Sequence, residues 1–345
     1  MMMKTIKINY TGMWSGLKLI TAILKERYNV EISDKPDYLL VSPLGNPYTF
    51  MNYDCVRILF TGEPLTPDFN VFDYAIGFDY MAILDTEDNN RYYRFPLCFR
   101  NVEGVKEATR GLTRTQAETA LREKKYFCNF IYSHRSAKGE REAILDALQK
   151  YKRIEVAGSF LNNMPGGAII PYEGKVDFLR ICKFTIACES IRYPGFVTEK
   201  IVDPFFAHSV PLYYGNPMID KEFNTEAMIH LGSFPTLEEG IEKVIEVDQD
   251  DEKYMKILMT PKLKSESYLD DLYIGLKQFL FQIFDQEKED AYRRLRFYVQ
   301  KKHEDCLREY AQFYNSPEYR GFKTRQIVIQ RIRKAVNGSY LVHRG

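Results

Sequence analysis

Glu199 and Lys200 stand side by side just after Thr198, in a stretch bounded by two apolar runs, Phe184 to Cys188 and Val210 to Tyr214. A polar and aromatic loop carrying Glu189 joins the first run to them. That order reads as strand, loop, helix, strand, with the acid and the base in the first turn of the helix. A helix N-terminus offers unpaired N–H groups and the positive end of a dipole, a ready site for phosphate. Lys200 adds a full charge there, and Glu199 adds an acceptor suited to ribose hydroxyls. The chemistry suggested is capture of a sugar nucleotide. The same three residues also suit plain architecture, with Thr198 as N-cap, Glu199 complementing the dipole and Lys200 a solvated flank.

Two further groups could do chemistry. Glu63 follows the apolar run Val56 to Phe60, inside the turn Thr61-Gly62-Glu63-Pro64. A carboxylate held in a Gly/Pro turn at a sheet edge suits a general base; spacing alone favours a solvated turn acid. Arg141 ends the segment YFCNFIYSHRSAKGER, at the start of a helical pattern. Its rigid fork would match phosphate oxygens, and Arg135 in the same basic loop is the rival for that task. Asp248-Gln249-Asp250 has the D-x-D spacing of a metal site. It lies in the acidic run EVDQDDEK with no adjoining apolar strand to aim it, and reads as a solvated turn.

The elements that must position these residues alternate. Strands are expected at Thr5 to Tyr10, Val30 to Ile32, Tyr38 to Val41, Val56 to Phe60 and Tyr74 to Ile76, with an amphipathic helix from Leu17 to Arg27. A charged, helix-prone stretch from Val102 to Lys124 reads as a connection between two domains. The alternation then resumes: strand Phe127 to Tyr132, helix Glu140 to Lys150, strand Ile154 to Ala157, helix Val176 to Cys182. Such α/β wiring makes a doubly wound nucleotide-binding domain, whose ligands sit beyond the carboxyl ends of the strands. From Thr236 the pattern is helical, with one helix at Leu237 to Val247 and long charged helices from Tyr268 to about Tyr314.

Composition narrows the class. The chain has 345 residues, enough for two domains, and 45% hydrophobic against 28% charged residues describe a globular protein. A net charge of +1 argues against nucleic acid as the main partner. Tyrosines number 25 and phenylalanines 23; most suit a core, and some suit a sugar site, where a ring packs on the apolar face of a pyranose. Six cysteines without a C-x-x-C pair, mostly in apolar runs, suit buried free thiols of a reducing compartment. No stretch approaches the length of a membrane helix, and MMMKTIKINY lacks the apolar core of a signal peptide, so a cytoplasmic protein is expected. Walker A, G-x-G-x-x-G, H-E-x-x-H and G-x-S-x-G patterns are absent from the sequence.

The segment from Phe184 to Asn216 resembles the donor-binding motif of the α-1,3-fucosyltransferases, glycosyltransferase family 10, with its Y-x-T-E-K and P-x-Y-x-G pattern. Ser190 stands at the usual Asn position, and Phe196 where an aromatic with a hydroxyl is common. Phe60-Thr61-Gly62-Glu63, followed by FDYAIGFD, is similar to the acceptor-domain motif of the same family, and Tyr126 to Arg141 to its C-N-F segment. The resemblance covers roughly residues 38–235 and implies a GT-B fold: two facing Rossmann-like domains with the site in the cleft, plus C-terminal helices. It implies an acceptor domain over 1–120, a GDP-fucose domain over 121–290 and terminal helices over 291–345.

The reaction implied is inverting transfer of L-fucose from GDP-fucose to the 3-hydroxyl of a GlcNAc or glucose unit in an oligosaccharide. Glu63 would be the catalytic base. Arg141, Glu189, Ser190, Phe196, Glu199 and Lys200 would hold the donor, with no obligatory metal and at most modest stimulation by manganese. Acceptor choice would rest on loops such as Tyr80 to Arg91 and Asn46 to Asn52. A transferase for another nucleotide sugar, α-1,4 regiochemistry, a retaining transferase and a non-catalytic glycan-binding module are the alternatives. The tail from Phe322 to Val336 could place Ile327, Val328, Ile332 and Val336 on one face beside Arg325, Arg331, Arg333 and Lys334. That suits a peripheral anchor on anionic lipid at the inner membrane face, and equally an ordinary packed helix.

Overall fold

The computed structural model describes residues 3–12, 17–45, 48–80, 90–134, 138–294 and 298–341, with side chains of the last helix described to Ile329. Eleven strands and twelve α-helices are found among the described residues. The first half holds β1 (Thr5–Thr11), α1 (Leu17–Lys25), β2 (Asn29–Ile32), β3 (Tyr38–Val41), β4 (Val56–Phe60), β5 (Tyr74–Gly77) and β6 (Tyr92–Arg94). Helices α2 (Val102–Ala108) and α3 (Arg114–Arg122) follow. Then come β7 (Tyr126–Phe130), α4 (Glu140–Gln149), β8 (Ile154–Val156), α5 (Lys175–Arg180), β9 (Cys182–Cys188), α6 (Glu199–Phe206), β10 (Val210–Tyr214) and β11 (Ile229–His230). The rest is helical: α7 (Leu237–Asp248), α8 (Asp251–Met259), α9 (Tyr268–Asp285), α10 (Lys288–Ala291), α11 (Tyr298–Asn315) and α12 (Pro317–Leu341).

The strands form two sheets, ordered β2-β1-β3-β4-β5-β6 and β11-β10-β9-β7-β8. Strands β1 to β4 pair in parallel, as do all five of the second sheet. Chain packing divides into two compact units. One comprises 1–60, 67–75 and 284–345, and the other 61–66 and 76–283. The turn carrying Glu63 therefore groups with the donor-motif segment, as does the stretch 76–120.

In the second unit the two-residue period of the strands separates two faces. Cys128, Phe130, Phe184, Ile186, Cys188, Val210 and Leu212 enter one core with Leu145, Leu148, Val244 and Tyr254 of the covering helices. Asn129 and Thr185, paired in register, alternate with them. Asn129 Nδ2 donates to Thr185 Oγ1 at 2.8 Å, and Thr185 and Ser209 share a hydrogen bond of 2.8 Å. In the first unit α11 and α12 accompany the amino-terminal sheet. Arg57 of β4 pairs with Glu304 of α11 at 2.6 Å, and Tyr38 packs on Phe284 with ring centroids 4.3 Å apart.

Two sequence expectations need correction. Cys182 does not end a helix; it opens β9, because α5 stops at Arg180 and the apolar run is longer than it looked. Asp248-Gln249-Asp250 is not a solvated turn. Asp248 is buried at the end of α7, paired with Lys152 at 2.5 Å and Lys183 at 3.1 Å, and Asp250 caps α8 through Lys253 N. Burial alone would raise the Asp248 carboxyl, but the two lysines and Tyr151 outweigh it and hold it below the ordinary carboxylate range. Those acids serve helix packing.

Candidate active site

Helix α6 begins where the sequence placed it. Thr198 has extended backbone and its hydroxyl accepts from Lys200 N, so it is the N-cap. Thr198 is in turn held by Glu189, at the carboxyl end of β9. One carboxylate oxygen accepts from Thr198 N at 2.9 Å, and the other from Thr198 Oγ1 at 2.8 Å. Glu189 is fully buried, and Lys200 Nζ lies 3.5 Å from it and 3.2 Å from Glu199. Burial opposes the charge on Lys200, and the two carboxylates outweigh it, so its pKa stands above the ordinary lysine value. Burial pushes Glu189 up. It pushes Glu199 up too, but Lys200 and Lys175 overcome this and hold Glu199 below the usual range. Lys200 keeps 20% of its side chain exposed and Glu199 keeps 40%, so neither is a solvated flank nor sealed away.

Glu63 is aimed by its neighbours. Thr61 N donates to Ile76 O at 2.9 Å, which seats the turn on β5. Thr61 Oγ1 accepts from Glu63 N at 3.0 Å and donates to Glu63 O at 3.1 Å, fixing the backbone while the carboxylate stays exposed. Gly62 is required by packing: a Cβ there would lie 2.5 Å from Leu97 Cδ2.

These two constructions meet. A cavity of about 210 Å³ inside the second unit is lined by Gly62 and Glu63, by Leu97, Cys98 and Arg100, and by Ser190 and Phe196 to Lys200. The structure thus brings Glu63, Ser190, Phe196, Glu199 and Lys200 together. Phe196 is buried, edge-on to Phe78 at 5.1 Å between centroids, and contributes an apolar wall. Glu189 lies behind the wall, holding Thr198 and Lys200. Sequence reasoning missed Cys98 and Arg100; the one available signal was a cation beside the capping residue Asn101, directly after the apolar run Leu97-Cys98-Phe99.

Arg141 sits one layer away. Gly139, with φ of 79°, turns the chain into α4. The buried guanidinium of Arg141 donates to Cys188 O at 3.2 Å and His134 O at 2.8 Å, and lies 4.1 Å from the centre of the Tyr132 ring. It therefore stands at the carboxyl end of β9, next to Glu189. Its rival Arg135 lies outside the described residues, as does most of the loop Tyr80 to Arg91 and part of Asn46 to Asn52. Among the described residues no group of His, Cys, Asp and Glu is arranged to hold a metal.

Comparison with known proteins decides the family. The Alpha-(1,3)-fucosyltransferase FucT N-terminal domain matches residues 8–100, and the Glycosyltransferase family 10 (fucosyltransferase) C-terminal model matches 121–259. The chain belongs to glycosyltransferase family 10. The alpha-(1,3)-fucosyltransferase FucT of Helicobacter pylori is 29% identical over 284 residues, covering 73% of this chain and 54% of the relative. The chain spans about half the length of the curated relatives it matches. A crystal structure of an α1,3-fucosyltransferase superposes with a TM-score of 0.64 at 24% identity, over 81% of this chain and 90% of that one. The same enzyme class solved with GDP-fucose gives 0.62 at 23% identity, over 81% and 91%. The fold is that of these family 10 enzymes, GT-B.

Proposed function

We propose that the protein transfers L-fucose from GDP-fucose, with inversion, to the 3-hydroxyl of a GlcNAc or glucose unit in an oligosaccharide such as N-acetyllactosamine. The observation that carries this reading is the cavity in which one exposed carboxylate, Glu63, shares a wall with the acid–base pair Glu199 and Lys200. Family membership supports it, as does the GDP-fucose held by a protein of the same fold. Glu63 takes the proton of the acceptor hydroxyl as its oxygen forms the new bond to the anomeric carbon. The bond from that carbon to the diphosphate breaks, and GDP leaves with the electron pair. Lys200 and Arg141 meet the charge that builds on it, and Glu199 accepts from the ribose hydroxyls. One carboxylate suffices because a diphosphate leaves without a proton, as in the base half of inverting glycoside hydrolysis.

Incubation with GDP-fucose and a panel of lacto- and neolacto-type oligosaccharides, read by NMR, tests the reading. An α-1,3-fucosylated product, formed equally in EDTA, is expected. An α-1,4 product corrects the linkage, loss of turnover in chelator corrects the metal-free site, and binding of glycan without GDP release leaves a lectin. We also propose that the tail helix rests on anionic membrane. Phe322, Ile327 and Val328 of α12 are exposed among basic residues, which suits peripheral attachment. Flotation with anionic liposomes, before and after removal of the tail from Phe322, checks it: loss of flotation with activity retained is expected.

A further inference from the structure

Arg94, in β6, contributes nothing to the cavity wall, yet its guanidinium ties three separate segments of the second unit together. Nε donates to Phe78 O at 2.8 Å, just past the end of β5. Nη2 donates to Gly195 O at 3.1 Å, in the loop before α6, and to Glu222 Oε1 at 2.5 Å. The guanidinium carbon lies 3.8 Å from the centre of the Tyr80 ring, and Tyr80 donates its hydroxyl to the same Glu222 oxygen at 2.6 Å. Glu222 is completely buried, while Arg94 keeps 14% of its side chain exposed.

Two of those segments lead straight to the reacting groups. β5 carries Ile76, whose carbonyl seats the Glu63 turn through Thr61. Gly195 precedes Phe196 and the first turn of α6, which line the cavity with Lys200. The loop at Gly195 is pinned from other sides too. Its φ is 83°, a Cβ there would lie 2.5 Å from Phe78 O, and its N–H donates to Asn216 Oδ1 at 2.9 Å. The backbones of residues 78 and 195 are thus locked face to face, with Arg94 bridging their carbonyls.

A buried ion pair is a poor way to add stability, since well-packed apolar residues of similar volume often serve as well or better. What the Arg94–Glu222 pair supplies is geometry. We infer that Arg94 and Glu222 are positioning residues that set the spacing between Glu63 and the first turn of α6. The inference rests on the fucosyl-transfer reading given above. The donor clamp has its own support in Glu189 and Thr198, so the pair governs alignment of base against donor and leaves the grip on GDP alone.

The test uses Arg94→Lys, Glu222→Gln and the charge-free double variant Arg94→Met/Glu222→Leu, which removes the ion pair without leaving a lone buried charge. Three quantities are measured for each: GDP affinity by calorimetry, GDP-fucose hydrolysis without acceptor, and transfer to acceptor. A misplacement near 1 Å costs on the order of 100-fold in rate. Transfer should therefore fall about 10- to 100-fold in all three, hydrolysis by water should fall less, and GDP affinity should stay within about two-fold. Unchanged transfer overturns the inference, and so does a fall of transfer in step with GDP affinity. A wild-type protein that transfers no fucose overturns the functional reading itself, which the control shows separately.

Discussion

Each unit buries a cluster of opposite charges, and the two clusters are built to different ends. In the first unit Arg57 and Arg294 face Asp73 and Glu304, with side-chain exposures of 1%, 2%, 0% and 17%. Backbone groups complete the set: Asp73 accepts from the N–H groups of Arg57, Arg293 and Arg294, while Arg57 and Arg294 donate to the carbonyls of Tyr53 and Cys55. Charge is matched and closed off. In the second unit Glu189 is sealed just as completely, but its partner Lys200 reaches into a cavity together with Glu199, the second carboxylate that Lys200 pairs with. A closed cluster joins β4 to α11; an open one presents a pre-aimed cation to a ligand. What separates architecture from chemistry here is where the cluster ends, since both are rich in charge: Glu304 closes back on Arg57 and Arg294, whereas Lys200 and Glu199 line a cavity.

That contrast can be broken by substitution. The largest effect expected is on turnover: Glu63→Gln should lower transfer about 10²–10⁴-fold, with GDP affinity and melting temperature unchanged. Steady-state kinetics beside calorimetry check this, and activity within a few-fold of wild type removes Glu63 as base. Next comes the closed cluster. Asp73→Ala takes the carboxylate from beside Arg294 Nε, leaving that cation Glu304 alone, and strips three N–H groups of their acceptor; it should cost about 3–5 kcal/mol, read as a lower urea midpoint. An unchanged midpoint would mean that the first unit does not depend on its charges.

The open cluster should respond in the other currency. Lys200→Ala removes a charge-assisted contact of roughly 1.5–3 kcal/mol, so GDP affinity should fall about ten- to a hundred-fold while the midpoint moves less than for Asp73→Ala. Equal GDP affinity in variant and wild type takes Lys200 out of the clamp. The smallest effect is on pH dependence. Because Glu199 is held below its ordinary pKa, its contribution to stability is complete above the unfolded value near 4.3 and is lost as pH falls through the lowered folded value. Glu199→Gln should therefore flatten the decline of urea midpoint between about pH 5 and 3; a decline as steep as wild type's contradicts the direction given for Glu199.

Local features were the most legible in the sequence. The apolar runs from Phe184 to Cys188 and Val210 to Tyr214 announced β9 and β10, and Thr198 announced its cap, because period and capping act within a few residues. The gathering of Glu63 with Lys200 was legible only through two family motifs, since nothing local links residues so far apart. What could not be read were long-range polar partners. Arg94 and Glu222 meet across 128 residues, and neither sits in a pattern that names the other. Asp248 shows the same limit: an acidic run looks solvated until Lys152 and Lys183 arrive from other elements.

The hydrogen bond from Thr198 N to the buried carboxylate of Glu189 also makes a clock. That amide proton can reach solvent only when the first turn of α6 detaches from the end of β9. Its deuterium uptake therefore counts how often the donor site comes apart, with no substrate, label or assay of turnover required.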